Sequence, residues 1–152
     1  MNSVYKNEQI YAINKSTKLN KTDIKKVIDC YISYIKEQVL SGRTVKFLNI
    51  CYLSSGNDTK YRETKSYIST EIAMKLNLGR ESVYRVLSDY EDIIIDGLKK
   101  RTYSYSIHGL LSISVTDYIN DTVKVRIRKS DSLANLNIRV LTLNSFKRKV
   151  ES

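Results

Sequence analysis

Apolar side chains recur at helical spacing through two long stretches of the chain. Ile24, Val27, Ile28, Tyr31, Ile35 and Val39 make one stripe, and Val83, Val86, Leu87, Tyr90, Ile93, Ile94 and Leu98 make another. The i, i+3, i+4, i+7 pattern predicts two amphipathic helices. The first is placed at 20–40. Asn20 is a good N-cap, Asp23 is a weaker form of the capping-box acid, and Ser41-Gly42 ends the run because glycine accepts the left-handed C-cap backbone. The second is placed at about 80–99. A compact helix at 69–76 precedes it, and a shorter one near 7–14 precedes the first.

The two stripes share an outline. Leu19-Asn20-Lys21-Thr22-Asp23-Ile24, running on to Arg43-Thr44-Val45, is echoed by Leu78-Gly79-Arg80-Glu81-Ser82-Val83, running on to Arg101-Thr102-Tyr103. The offset is 59 residues through the helices and 58 at the Arg-Thr step, which implies one residue lost in the intervening turn. An offset held by spaced apolar positions reads as an internal repeat, against chance likeness of two amphipathic helices. Residues 1–62 and 63–152 are then two units, the first degenerate and the second more complete. Units of about 75 residues are marginal alone and are expected to share a core.

A two-residue period marks the strands. Val45, Phe47 and Cys51 predict a strand near 44–53; Leu48 to Leu53 is too continuously apolar for clean alternation, as in a strand covered on both faces. Ser54 to Asp58 reads as a turn, and 59–64 as a short returning strand with Lys60 and Arg62 on one face. Tyr103, Tyr105 and Ile107 alternate with Ser104 and Ser106, His108-Gly109 breaks the run, and 110–116 resumes it. After a hairpin connection at 117–121, Val123, Val125 and Ile127 face one way and Lys124, Arg126 and Arg128 the other, with Lys129 at the end. A helix at 131–136 opens at Ser130, and 138–141 is either a last strand or more helix. Phe146 and a basic tail, Lys147-Arg148-Lys149, follow.

Charge changes the picture more than composition does. Lysine and arginine number 26 against 16 acidic residues, a formal net charge of +10. The excess runs along the whole chain, so it points to a polyanion met by a surface, with nucleic acid ahead of membrane. No stretch reads as a membrane span or signal peptide, and a cytoplasmic location is expected. Cys30 and Cys51 read as small buried hydrophobes. The single histidine, His108, reads as a structural residue at a strand break. Without a Cys-x-x-Cys, a Gly-x-Ser-x-Gly or a glycine-rich phosphate loop, no metal, no cofactor and no enzyme activity are expected.

The order of parts resembles the bacterial HU/IHF family of DNA-bending proteins. Short helix, Leu-Asn/Gly-Lys/Arg turn, long helix, Arg-Thr, strand, glycine, strand, hairpin, basic strand and short helix run over about 67–137, and in reduced form over 10–62. Ile107-His108-Gly109-Leu110-Leu111-Ser112-Ile113-Ser114-Val115 is similar to the family's glycine-centred passage between its first strands. Lys124-Val125-Arg126-Ile127-Arg128-Lys129-Ser130 is similar to its return strand. The resemblance implies an α+β HU/IHF-like fold duplicated as a single-chain pseudo-dimer, with a paired helical base and short antiparallel sheets.

It also implies architectural, largely sequence-nonspecific binding of duplex DNA, in a nucleoid or, for a phage protein, in the host cytoplasm. Lys124, Arg126, Arg128 and Lys129 would meet phosphates, with Lys60, Arg62, Lys147, Arg148 and Lys149 extending the track. Family members kink DNA with a proline on each of two long arms. This chain has no proline, and Tyr118-Ile119-Asn120 leaves room for hardly any arm. Tyr118 or Ile119 is the remaining candidate wedge.

Two other readings compete. Residues 70–87 resemble the helix-turn-helix of bacterial regulators, which would offer Arg80, Ser82, Tyr84 and Arg85 to a major groove. Against it, the helix continues for three more turns with Asp89, Glu91, Asp92 and Asp96, whose charge would repel a DNA backbone. The other reading is a phage or plasmid protein-interaction module on the same scaffold, binding a host protein or a second copy of itself.

Overall fold

The computed structural model describes residues 2–3, 6–54, 61–62, 66–100, 103–107, 109–117, 123–133 and 137–151. The side chains of 2–3, 6–7, 61–62, 66–67, 103 and 117 lie outside that description. In chain order the elements are β1 (Asn2–Ser3), α1 (Lys6–Thr17), α2 (Lys21–Leu40), β2 (Thr44–Phe47), β3 (Cys51–Ser54) and β4 (Tyr61–Arg62). Then come α3 (Ser66–Leu76), α4 (Arg80–Lys99), β5 (Tyr103–Ile107), β6 (Leu111–Asp117) and β7 (Val123–Lys129). A single 3-10 turn (Asp131–Leu133), β8 (Arg139–Thr142) and α5 (Asn144–Glu151) follow. The result is an α+β fold with two small sheets, ordered β1-β5-β6-β7 and β4-β2-β3-β8. Each sheet is antiparallel except for one short parallel edge strand.

The helical stripes bury as their spacing predicts. Ile24, Val27, Tyr31 and Ile35 of α2 meet Val83, Val86, Tyr90 and Ile94 of α4 in one continuous core. Asn20 caps α2, its side-chain oxygen accepting from the Thr22 N–H at 2.7 Å. The long helices match at 59 residues in both bounds, and the shorter helices match at their ends, α1 starting one residue earlier than α3 in that register. Lys18 and Asn77, each just past the shorter helix, both take left-handed backbone, with φ of 60° and 56°. Where α2 and α4 approach, Leu19, Asp23, Ile24 and Val27 face Leu78, Ser82, Val83 and Val86 across a narrow cleft, and every residue has its counterpart 59 positions on.

The sheets interlock the two hairpins. β1, ahead of α1, pairs with β5, which follows α4; β4, ahead of α3, pairs with β2, which follows α2. Their registers, Asn2 with Tyr103 and Thr44 with Tyr61, are again related by 59 residues. β8 then pairs with β3 as β7 pairs with β6. Cys51 faces Thr142 and Leu111 faces Lys129; the Leu143 N–H donates to Ile50 O at 2.9 Å, and the Ser130 N–H to Leu110 O at 2.8 Å.

Several expectations need correction. No residue is lost after the long helices: the strands start 59 apart, and β5 is one residue longer than β2. The apolar run 48–53 is a tight hairpin and not one strand. Leu48 takes a φ of 48°, unfavourable for a branched side chain, and its N–H donates to the buried Tyr31 hydroxyl at 2.8 Å. β4 runs parallel to β2 and so does not return along it. α1 extends over Lys6–Thr17, beyond the predicted 7–14. The segment after Ser130 is a 3-10 turn through Leu133, and residues 134–136 lie outside the described residues. The expected basic tail is helix α5, anchored by Phe146 and Val150, both buried.

Candidate nucleic-acid interface

Strand alternation fixes the charge on β7. Val123 is buried and Val125 and Ile127 are half-buried against the core, so Lys124, Arg126 and Arg128 stand exposed on the opposite face. Alternate residues on a strand are about 7 Å apart, so the row spans about 14 Å. The neighbouring strand supplies small hydroxyls in the same register: Thr116 beside Lys124, Ser114 beside Arg126 and Ser112 beside Arg128. On β5, Ser106 continues the face beside Ser112. Cations with hydroxyl donors alongside them suit phosphate oxygens, which accept from both.

The edge of this sheet is held by α5. The Val125 N–H donates to the Glu151 carboxylate at 2.9 Å, and Lys124 Nζ lies 3.9 Å from its other oxygen. Lys124 is more than half exposed, so this pairing at the distance limit contributes little to stability and leaves its charge available to solvent. Lys129 belongs to the inward-facing register and donates to Ile138 O at 3.0 Å. It therefore links β7 to the start of β8 and does not extend the exposed row. Lys147, Arg148 and Lys149 are exposed on α5, opposite the face of Phe146 and Val150. Lys60, Tyr118, Ile119 and His108 lie outside the described residues, as does the side chain of Arg62.

The second sheet carries the same register with different side chains. On β8, Arg139 stands beside Ser54 and Leu141 beside Tyr52, and Lys46 of β2 lies next to Tyr52. Pairing through Cys51–Thr142 and Leu111–Lys129 makes Arg139 the counterpart of Arg126 and Leu141 the counterpart of Arg128. Leu141 is 49% exposed, so an apolar residue occupies the surface where the other sheet has a cation. The sequence pattern had not singled out Arg139 or Lys46, because neither lies in an uninterrupted basic alternation.

No family model, curated protein or solved structure matches this chain. The geometry stands on its own chemistry.

The helix-turn-helix residues fall at the other end of the long helices. Arg80, Tyr84 and Arg85 are exposed, while Ser82 is half-buried in the cleft facing α2. Glu91, expected to face outward with its acidic neighbours, is buried: its carboxylate accepts from the Asn49 N–H at 2.8 Å and from Asn49 Nδ2 at 3.4 Å, clasping the β2–β3 turn. Cys51 is buried in β3, and desolvation pushes its thiol up to about 12, which leaves it inert as a nucleophile. Burial, then the nearby Tyr105 phenol, raises the Tyr90 hydroxyl as well. Among the described residues no group of three or more His, Cys, Asp and Glu side chains is placed to hold a metal, and no helix is long and apolar enough to cross a membrane.

Proposed function

We propose that this chain is a single-chain pseudo-dimer of the HU/IHF type that binds duplex DNA through its phosphates with little base readout. The observation that carries the reading is the exposed row Lys124, Arg126, Arg128, set beside Ser112, Ser114 and Thr116 by strand pairing. The 59-residue correspondence of helices, left-handed turns, cleft and registers supports two related units. The units are best read as interleaved: the first comprises 6–54 with 139–151, and the second comprises 66–133. On this reading β8–α5 serves as the end of the first unit.

Sharp bending is not part of the proposal, since no proline exists to intercalate. Binding is electrostatic, with Arg139 and the exposed cations of α5 adding to the row, in a nucleoid or a phage-infected cytoplasm. The helix-turn-helix reading is favoured by the exposure of Arg80, Tyr84 and Arg85. Against it, the first turns of α2 and α4 abut across the cleft, which keeps them from entering successive major grooves about 34 Å apart.

Gel shifts with random duplex at several salt concentrations test the proposal. Neutralising about five phosphates gives a slope of about −4 to −5 in log K against log salt. Replacing Lys124, Arg126 and Arg128 together by glutamine should make that slope shallower by about 3. An unchanged affinity in the triple variant, with its fold intact, removes the sheet face as the DNA surface. A strong preference for one operator at high salt favours the helix-turn-helix, and absence of binding at low salt favours a protein partner.

A further inference from the structure

We propose that the first turns of α2 and α4 form a second DNA-binding surface, so that one molecule bridges two duplexes. The inference rests on the DNA reading above and extends it to a face that the sheets do not reach. A 20-residue helix is about 30 Å long, and the sheets attach to the middle and C-terminal part of each long helix. The attachments are Tyr31 to Leu48 on α2, and Glu91 to Asn49 and the Ile93 carbonyl to the Tyr105 hydroxyl on α4. The first two turns of both helices lie beyond them, side by side across the cleft.

That end is cationic on both sides. Lys21, Lys25 and Lys26 on α2 and Arg80 and Arg85 on α4 are all exposed, and Tyr84 sits between the two arginines at 45% exposure. The residues correspond at 59 positions, Lys21 with Arg80 and Lys26 with Arg85, so the charge is laid out in two matching halves. The acids within these turns are Asp23, half-buried in the cleft, and Glu81. None of the five cations has an ion-pair partner among the described residues.

Folding favours this arrangement only in part: Lys21 Nζ lies 5.1 Å from the Tyr11 ring centroid and Glu81 stands four residues before Arg85, but other placements are unfavourable. Lys21 and Arg80 are the first residues of their helices, where the helix dipole is positive and repels a cation. Lys21 and Lys25 are like charges four apart on one face, which adds repulsion. Solubility is served as well by mixed charges. The cations outnumber the acids of these turns by five to two, and the phosphate ladder of a duplex fits two cationic halves flanking a cleft better than a small anion does.

The test is co-sedimentation of a fluorescent duplex with a bead-bound duplex, alongside a gel shift on one short duplex. The variant is Lys21→Gln, Lys25→Gln, Lys26→Gln, Arg80→Gln and Arg85→Gln together; glutamine is a good helix former and these sites are exposed, so its melting curve should match that of the parent. The parent should recruit the second duplex. The variant should lose at least tenfold in recruitment while binding the single duplex within about threefold of the parent. Unchanged recruitment overturns the inference, because bridging would then come from self-association or another face. Equal loss of single-duplex binding also overturns it, because this end would then be the sole DNA surface. Variant-sensitive binding to vesicles containing phosphatidylserine, without duplex bridging, would reassign the patch to a membrane. A parent that binds no duplex at low salt defeats the DNA reading itself.

Discussion

Phe146 lies far along the chain from β2 and β3, yet the fold makes it a core residue of the whole molecule. It is 1% exposed, and its helix packs on α4 and β7 directly after β8, the strand that pairs with β3. Replacing a buried phenylalanine by alanine costs about 3–5 kcal/mol, a large share of the 5–15 kcal/mol typical of a domain. With a urea m-value of about 2 kcal/mol/M for a chain of this size, the midpoint of Phe146→Ala should fall by about 1.5–2.5 M. Urea titration followed by circular dichroism measures this, with Lys149→Ala, exposed on the same helix, as a control expected within about 0.5 kcal/mol. Amide exchange should also accelerate at 51–54, the residues β8 covers. A midpoint shift below about 0.5 M, or unaltered exchange at 51–54, would refute the expectation that α5 anchors β8 on β3.

Three further outcomes follow from single contacts. Gly97→Ala puts a Cβ into the Tyr105 hydroxyl, which is held by the Ile93 carbonyl at 2.9 Å; thermal melts should show a loss of about 1–3 kcal/mol, partly recovered by adding Tyr105→Phe. Glu91→Ala strips the Asn49 N–H of its acceptor and should cost about 1–3 kcal/mol, whereas Glu91→Gln, which keeps an acceptor oxygen, should cost less in the same titration; equal losses would argue against the clasp. The raised thiol of Cys51 is an acid whose charged form the fold disfavours, so its contribution is intact below pH 9.0 and lost as pH climbs toward about 12. One such group costs about 1.4 kcal/mol per pH unit across that window; the drop in urea stability between pH 8 and pH 10.5 should therefore be smaller in Cys51→Ala than in the parent, and equal drops would contradict the burial.

What was legible in the chain was what local periodicity controls. Helix α4 falls at the predicted 80–99, Asn20 caps α2 as its side chain suggests, and the outward row of β7 follows from alternation alone. The β2–β3 hairpin was hidden because Leu48 gives no turn signal: its left-handed backbone is stabilised by a tertiary bond to Tyr31, which no local pattern announces. Glu91 looked like one more surface acid until the Asn49 turn was seen to require its carboxylate. The partners of β1, β4 and β8 were out of reach for the same reason, since each pairs with a strand chosen by the packing of distant helices. Arg139 and Lys46 could be placed near the candidate interface only after those pairings were known.

The partnership of β3 with β8 also sets a timetable. During synthesis, residues 51–54 leave the ribosome about 85 residues ahead of the strand that will cover them, an interval of roughly 4–17 s at 5–20 residues per second. For that time the edge is open to any neighbouring nascent chain, and the strand best matched to it is the 139–142 segment of another copy. Heavy expression should accordingly produce exchanged oligomers, each molecule finished by its neighbour's last strand.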